Sequence, residues 1–300
     1  MSNTTANLER KISGASDLQS VVRTMKALAA SSLSQYEQSV GALADYYRTV
    51  ELGLGVCFRV AEPVKPLVTR QGRTDAANIR VLVFGSDQGL VGRFNDVVAD
   101  CAIDTLAALP GKPRVWAIGE RVHARLADAG LAPDGLFPLP NSVQGIAPLV
   151  ARIQIESELR LGESPDACLY VFHNRPQTGA LFGPVCQRLL PLDAKWRQDL
   201  IKSHWPTDKL PEVIGGKSTL RALISEYLFI SLFRACAESL ASENASRLAA
   251  MQRADKNIAE LLASFHATLR SVRQSGIDEE LFDVISGFEA IGGRKPGHHG

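Results

Sequence analysis

Three glycines, Gly85, Gly89 and Gly92, follow an apolar run and precede a helical stretch. A glycine-rich turn at a helix start is where backbone N–H groups can cradle a phosphate. The spacing here is GxxxGxxG, not the GxGxxG of dinucleotide-binding turns, and the next apolar run, RVWAI, ends at Gly119 rather than at an acidic residue that would hold a ribose. The segment therefore reads as a tight strand-to-helix turn in which Asp87 and Asn95 bond locally. Gly216-Lys217-Ser218 matches the end of a P-loop, but the first glycine of that motif would fall at Pro211, and no strand precedes it. It reads instead as a helix start capped by Ser218. His298 and His299 lie in a polar tail without a cysteine or carboxylate cluster, and His123, His173, His204 and His266 are isolated. Cys57, Cys101, Cys168, Cys186 and Cys236 form no C-x-x-C and are odd in number, as expected of reduced cytosolic thiols. No catalytic, cofactor-binding or metal-ligating set emerges.

The elements that would have to position such chemistry are themselves unusual. Of fifteen prolines, all but Pro296 lie between Pro63 and Pro211. Proline costs about 3 kcal/mol inside a helix, so the two proline-free ends permit two very long helices, over about residues 4–55 and 217–291. At 1.5 Å per residue they would run roughly 80 and 110 Å, far beyond the width of a small domain. The first carries a seam of Leu18, Val22, Met25, Ala29, Tyr36, Val40, Leu43, Tyr47, Val50 and Leu54, interrupted by Ser32. The second carries Ile258, Leu262, Phe265, Leu269 and Val272. Upstream, the same phase gives Leu223, Tyr227, Ile230, Ala237, Ala241, Leu248 and Met251, with Arg234, Asn244 and Asp255 as polar members. Steps of three and four are the coiled-coil period, and polar seam residues usually fix register. The longer helix leaves an apolar stripe that needs a surrounding partner.

Between the ends, IRVLVF (79–84), RVWAI (114–118), ACLYVFH (167–173) and a weaker run within 180–192 read as strands. Helices are expected at about 95–108, 120–129 and 144–161. This alternation predicts a small, mainly parallel α/β sheet of Rossmann-like kind. Residues 56–77 and 193–216 read as connectors and 292–300 as a disordered tail. The expected division is a helix at 1–56, an α/β domain at 57–216, a helix at 217–291 and the tail. The 33 basic and 32 acidic residues nearly cancel, which argues against nucleic acid as the main partner. With no apolar run near 18 residues and no signal-peptide pattern at the N-terminus, membrane association is expected only through partners.

Three segments, in this order, resemble the gamma subunit of F-type ATP synthases: VVRTMKALAASSL in the first helix, GSDQGLVGRFN at the glycine turn, and SLASENASRLAAMQRADKN with RQSGIDEELFDVISGFEAI in the last helix. The chain departs from the family pattern at Val91, where Cys is common, at Arg93, where Gly is common, and in the lack of basic residues from Ser31 to Tyr47. These departures point to a divergent branch, such as an alternate ion-translocating ATPase. The resemblance implies an antiparallel coiled coil beside an α/β domain, acting as a non-catalytic rotor shaft. Its partners would be the alpha and beta subunits of an alpha3beta3 ring, an epsilon subunit and a ring of c subunits, at the cytoplasmic face of the bacterial plasma membrane. By the same carry-over, Met25 and Lys26 would approach a moving lever of a beta subunit, Arg273 and Gln274 a catch loop, and Arg247 the same contact system. Two other classes stay open on the residues alone: a nucleotide-binding α/β enzyme with helical extensions, and a coiled-coil scaffold.

Overall fold

The computed structural model describes residues 2–60, 79–109, 111–156, 168–177, 180–207, 209 and 211–292. Two helices dominate. The first, α1 (Ser2–Val60), has 59 residues, and the last, α6 (Lys217–Gly292), has 76. Between them lie β1 (Ile79–Phe84), α2 (Phe94–Ala107), β2 (Arg114–Ile118), α3 (Glu120–Asp128), β3 (Gly135–Phe137), a 3-10 turn at Val143–Gly145, α4 (Ile146–Glu156), β4 (Cys168–Gln177), β5 (Ala180–Leu190) and α5 (Ala194–Lys202). The chain divides into two compact units, Met1–Ala27 with Met251–Gly300, and Leu28–Ala250.

The larger unit is built on a five-stranded sheet ordered β3-β2-β1-β4-β5. Its pairs are parallel except β4 with β5. The central strand β1 is buried on both faces, as its apolar run from Val81 to Phe84 requires. Strand alternation then sorts its side chains. Ile79, Val81 and Val83 pack with Val98, Ala99 and Leu106 of α2 and Val122 and Leu126 of α3. Leu82 and Phe84 face the other way, into a core shared with α4, α6 and the later half of α1.

In that core, Tyr36, Val40, Leu43, Tyr47, Val50 and Leu54 hold the seam expected of α1. Leu33 packs there too, a place the sequence reading gave to Ser32; the strict three-four alternation between Ala29 and Tyr36 passes through Leu33. Residues 227–246 of α6 are buried on nearly every side, well beyond a single seam. α1 also runs past its expected end, because Val56 and Cys57 are buried in its last turns. Residues 61–78 of the expected connector, the end of the 144–161 helix and the tail from 293 lie outside the described residues.

Two elements were not foreseen. β3 is only three residues long, too short to carry a period. α5 interrupts the expected connector; Asp193 caps it, its carboxylate accepting from the N–H groups of Lys195 and Trp196. Its Leu200 carbonyl comes so close to α1 that a Cβ on Gly55 would meet the oxygen at 2.8 Å.

That approach makes a paired prediction. A Cβ added at Gly41 would meet nothing within 4 Å, so Gly41→Ala should stabilise the protein by about 1 kcal/mol through helix propensity. Gly55→Ala should instead destabilise it by about 1–3 kcal/mol, the overpacking cost. Thermal or urea melts of both variants check the contrast; equal effects would contradict the packing of α5 on α1.

Candidate partner-binding surface

The glycine turn is closed on itself. Asn95 accepts the Ser86 N–H at 2.9 Å and donates to the Ser86 hydroxyl at 2.8 Å. Asp87 accepts the N–H of Glu120 at 3.0 Å and of Leu139 at 2.8 Å, so one carboxylate ties the turn to the start of α3 and the segment after β3. The buried Ser246 hydroxyl of α6 donates to the Val91 carbonyl at 2.6 Å. The side chains that could have addressed a ligand are holding the fold: Asn95 bonds locally, as expected, but Asp87, expected to do the same, reaches distant segments instead. At the P-loop-like segment, the Ser218 hydroxyl turns back to the Gly215 carbonyl at 2.8 Å. Among the described residues, no group of three or more His, Cys, Asp or Glu could hold a metal ion, and no helix is long and apolar enough to cross a membrane.

The smaller unit is an antiparallel helix pair. On α1 the shielded positions run Thr5, Leu8, Ile12, Ala15, Gln19, Val22 and Lys26; on α6 they run Met251, Asp255, Ile258, Leu262, Phe265, Leu269 and Val272. Both follow the three-four alternation of a coiled coil. The α6 seam matches the sequence reading. On α1, Leu18 was expected in the seam but is 54% exposed. Gln19 replaces it because the phase counted back from Val22 falls one residue later, and Leu18 is rotated off the packed face.

Each proposed contact residue now has a place. Met25 is half-buried. Lys26 lies on the seam, its Nζ 2.7 Å from Asp255, which also accepts from Gln19 at 3.2 Å and from Arg23 at 3.3 Å. The bond from Lys26 leads the effects that hold the Asp255 carboxyl below its ordinary pKa. Asp255 had been read as a polar seam residue, but its partners come from the opposite helix and have no signature in local sequence. Arg273 is 60% exposed and reaches Glu9 at 2.6 Å; Gln274 beside it is exposed. Such a surface pair is worth only about 0.2–1 kcal/mol. Arg247, in the larger unit, is mostly shielded and donates to Glu243 at 2.6 Å. Burial pushes the Glu243 carboxyl up, opposed by Arg247. Towards the end of α6, Ile277, Leu281, Phe282, Val284 and Ile285 are all exposed.

The sequence reading also missed a buried polar knot. Glu238 of α6 accepts from His173 at 2.8 Å and Arg175 at 2.6 Å, both on β4, and from Arg234 at 2.8 Å one helical turn away. His173 and Arg175 are two apart on a strand, and Arg234 and Glu238 four apart on a helix, so each pair shares a face. Only the (i, i+4) Arg–Glu spacing on α6 hinted at it.

A family model described as ATP synthase matches residues 4–291. This chain belongs to the ATP synthase gamma family. The ATP synthase gamma chain of Syntrophus aciditrophicus (strain SB) is 26% identical over 290 residues, covering 95% of this chain and 97% of that one. Among solved structures, a chain of the Euglena gracilis mitochondrial ATP synthase (OSCP/F1/c-ring, rotational state 3) superposes with a TM-score of 0.62 at 16% identity, covering 99% of this chain and 98% of that one. A chain of the Tetrahymena thermophila mitochondrial ATP synthase central stalk and c-ring superposes with a TM-score of 0.51 at 18% identity, covering 78% and 99%. Gamma-family chains are non-catalytic subunits of ATP synthase.

The knot makes stability depend on pH. Burial raises the pKa of Glu238, but the bonds from His173, Arg175 and Arg234 outweigh it and bring the value from 4.5 to about 2. A folded-state pKa below the unfolded one favours the folded state above the unfolded value. The contribution, about 3 kcal/mol by linkage, should therefore be complete above pH 4.5 and fade as pH falls towards 2. Denaturant unfolding across that window should show the slope in the native chain and a shallower one in Glu238→Gln; equal slopes would exclude Glu238 as its source.

Proposed function

We propose that this chain is the central shaft of a rotary F-type ATP synthase, turning inside a ring of alternating alpha and beta subunits and coupling ion flow through a membrane ring of c subunits to the beta-subunit catalytic sites. The observation that carries the reading is the helix pair of the smaller unit. Its seam is built for two strands, yet the final turns of α6 present Ile277, Leu281, Phe282, Val284 and Ile285 to solvent. A stripe of that size calls for a surrounding protein surface, and a subunit ring supplies one. Epsilon and the c ring are the further partners in this reading, and the chain is held peripherally at the cytoplasmic face of the bacterial inner membrane through them.

Within this reading, Met25 and Lys26 address a beta subunit from α1, Arg273 and Gln274 from the exposed side of α6, and Arg247 belongs to the same contact system. Each orientation of an asymmetric shaft favours one set of beta conformations over the others, and coupling needs only that difference in contact energy. Arg273 suits this role because its bond to Glu9 is solvent-exposed and cheaply exchanged for a ring carbonyl or carboxylate.

The reading is tested by reconstituting the full chain with its alpha and beta subunits. Backbone amides of residues 277–287 should exchange quickly in the free chain and slowly in the complex; equal exchange in both would remove the ring as the cover. Replacing Arg273 and Gln274 together by Ala should leave the helix content of the free chain unchanged. It should lower ATPase turnover by up to about tenfold, equivalent to about 1.4 kcal/mol of lost charge-assisted bonding. Unchanged assembly and turnover would refute these two contacts.

A further inference from the structure

The polar knot at Glu238 borders a cavity of about 30 Å³ within the larger unit. Its walls come from four elements: His173 and Arg175 of β4, Gln187 of β5, Ser231 and Arg234 of α6, and Tyr47 of α1. The sheet register explains the convergence. His173 and Arg175 alternate onto the same face as Val171, and Gln187 sits directly opposite Val171 on the antiparallel neighbour. The cavity is lined almost wholly by polar groups, and they are mostly donors.

The charges decide what such a space would hold. Both carboxylate oxygens of Glu238 are engaged, Oε1 by Arg234 and Oε2 by His173 and Arg175. Each arginine uses only its Nε for this, and neither guanidinium makes another hydrogen bond among the described residues. Their terminal N–H groups border the cavity together with the Gln187 amide, and the Ser231 hydroxyl, near the Tyr227 phenol, lines it as well. Two guanidinium charges face one carboxylate. Glu51 of α1 also acts on Arg234 through space, but its carboxylate is bonded to the Trp196 indole at 3.2 Å and does not line the cavity. The remaining buried polar atom at the knot, His173 Nδ1, has no hydrogen-bond partner, which is uncommon for a group so completely enclosed.

The geometry points to a binding site for a small monovalent inorganic anion, of chloride size, held between Arg175, Arg234 and Gln187. A space of about 30 Å³ exceeds the roughly 10–15 Å³ that one water molecule requires by the same measure, so it admits an occupant of chloride size. The bound anion would bridge the two partly exposed guanidinium groups and fasten β4 and β5 to α6 and α1.

Thermal melts of the full-length chain test this, in sodium chloride and in sodium gluconate at matched ionic strength, since gluconate is too bulky to enter. Chloride at ten times its dissociation constant should raise the folded-to-unfolded ratio about 11-fold over gluconate, in a saturable way. Gln187→Leu lines the cavity without touching Glu238, so the fold should survive while the chloride increment shrinks; Arg234→Gln should abolish it. Chloride-35 NMR of the native chain should show saturable line broadening that Gln187→Leu weakens. Identical melts in the two salts, or a chloride increment that persists undiminished in Gln187→Leu, would overturn the site.

Discussion

Between residues 227 and 246, α6 is enclosed on nearly every side, so each polar group it carries there must find a partner or bear a desolvation cost of about 1–3 kcal/mol. The stretch holds two glutamates, an asparagine and several serines, far more polar than a helix core needs to be. Asn244 and Glu243 bond within the helix, but other groups reach outward to the sheet and the glycine turn. Glu238 takes three donors from β4 and α6. The Ser242 hydroxyl shares its hydrogen between the Glu238 carbonyl at 2.8 Å and the Asn174 carbonyl at 3.2 Å, and the Asn174 amide donates to the Phe94 carbonyl at 2.8 Å. Ser246 reaches the glycine turn at Val91. An apolar helix on an apolar sheet can slide or rotate at modest cost. One whose enclosed polar groups have fixed partners cannot move without orphaning several of them together. A helix pinned to its own domain in this way resists slipping along the sheet.

The helix pair of the smaller unit uses the same principle more sparingly. Its seam is largely Ala, Val, Ile, Leu and Phe, except where Lys26 and Gln19 meet Asp255. An all-apolar seam would be more stable but could shift by a heptad; a polar trio satisfied in this alignment opposes that. The partial exposure of Asp255 keeps the desolvation cost small.

Much of this was legible in the residues because the two signals that specify it are local. The absence of proline from both ends marked the long helices, and the three-four alternation from Ile258 to Val272 marked the α6 seam. Asn95 could be read as a turn residue because its partner, Ser86, lies in the turn, whereas the partners of Asp87 are 33 and 52 residues away. What was hidden depends on long-range geometry. Leu18 looked like a seam residue by hydrophobicity, and only the phase set by the opposing helix rejects it. β3 is too short for any period, and α5 was masked by the proline- and glycine-containing stretch after it, although Asp193 carried a capping signal. The Glu238 knot joins residues 63 to 65 apart in sequence, so its members stood in the sequence as an isolated histidine and an inconspicuous glutamate.

The contrast between shielded and exposed charges in this chain suggests how a subunit without catalytic groups can direct those of another protein. Charges that must never move, at Glu238 and Glu243, are buried and tied within the larger unit. Those proposed to meet a partner at Arg273 and Gln274 lie in solvent, and Arg273 is held only by a weak surface pair. Moving a two-state equilibrium by a factor of ten takes about 1.4 kcal/mol of differential binding, which one or two exposed, exchangeable bonds can supply. Stronger contacts would favour one orientation so deeply that the shaft would stall there. On the proposed reading, a few weak surface contacts would let successive orientations be distinguished and then released, while the buried bonds keep the larger unit intact.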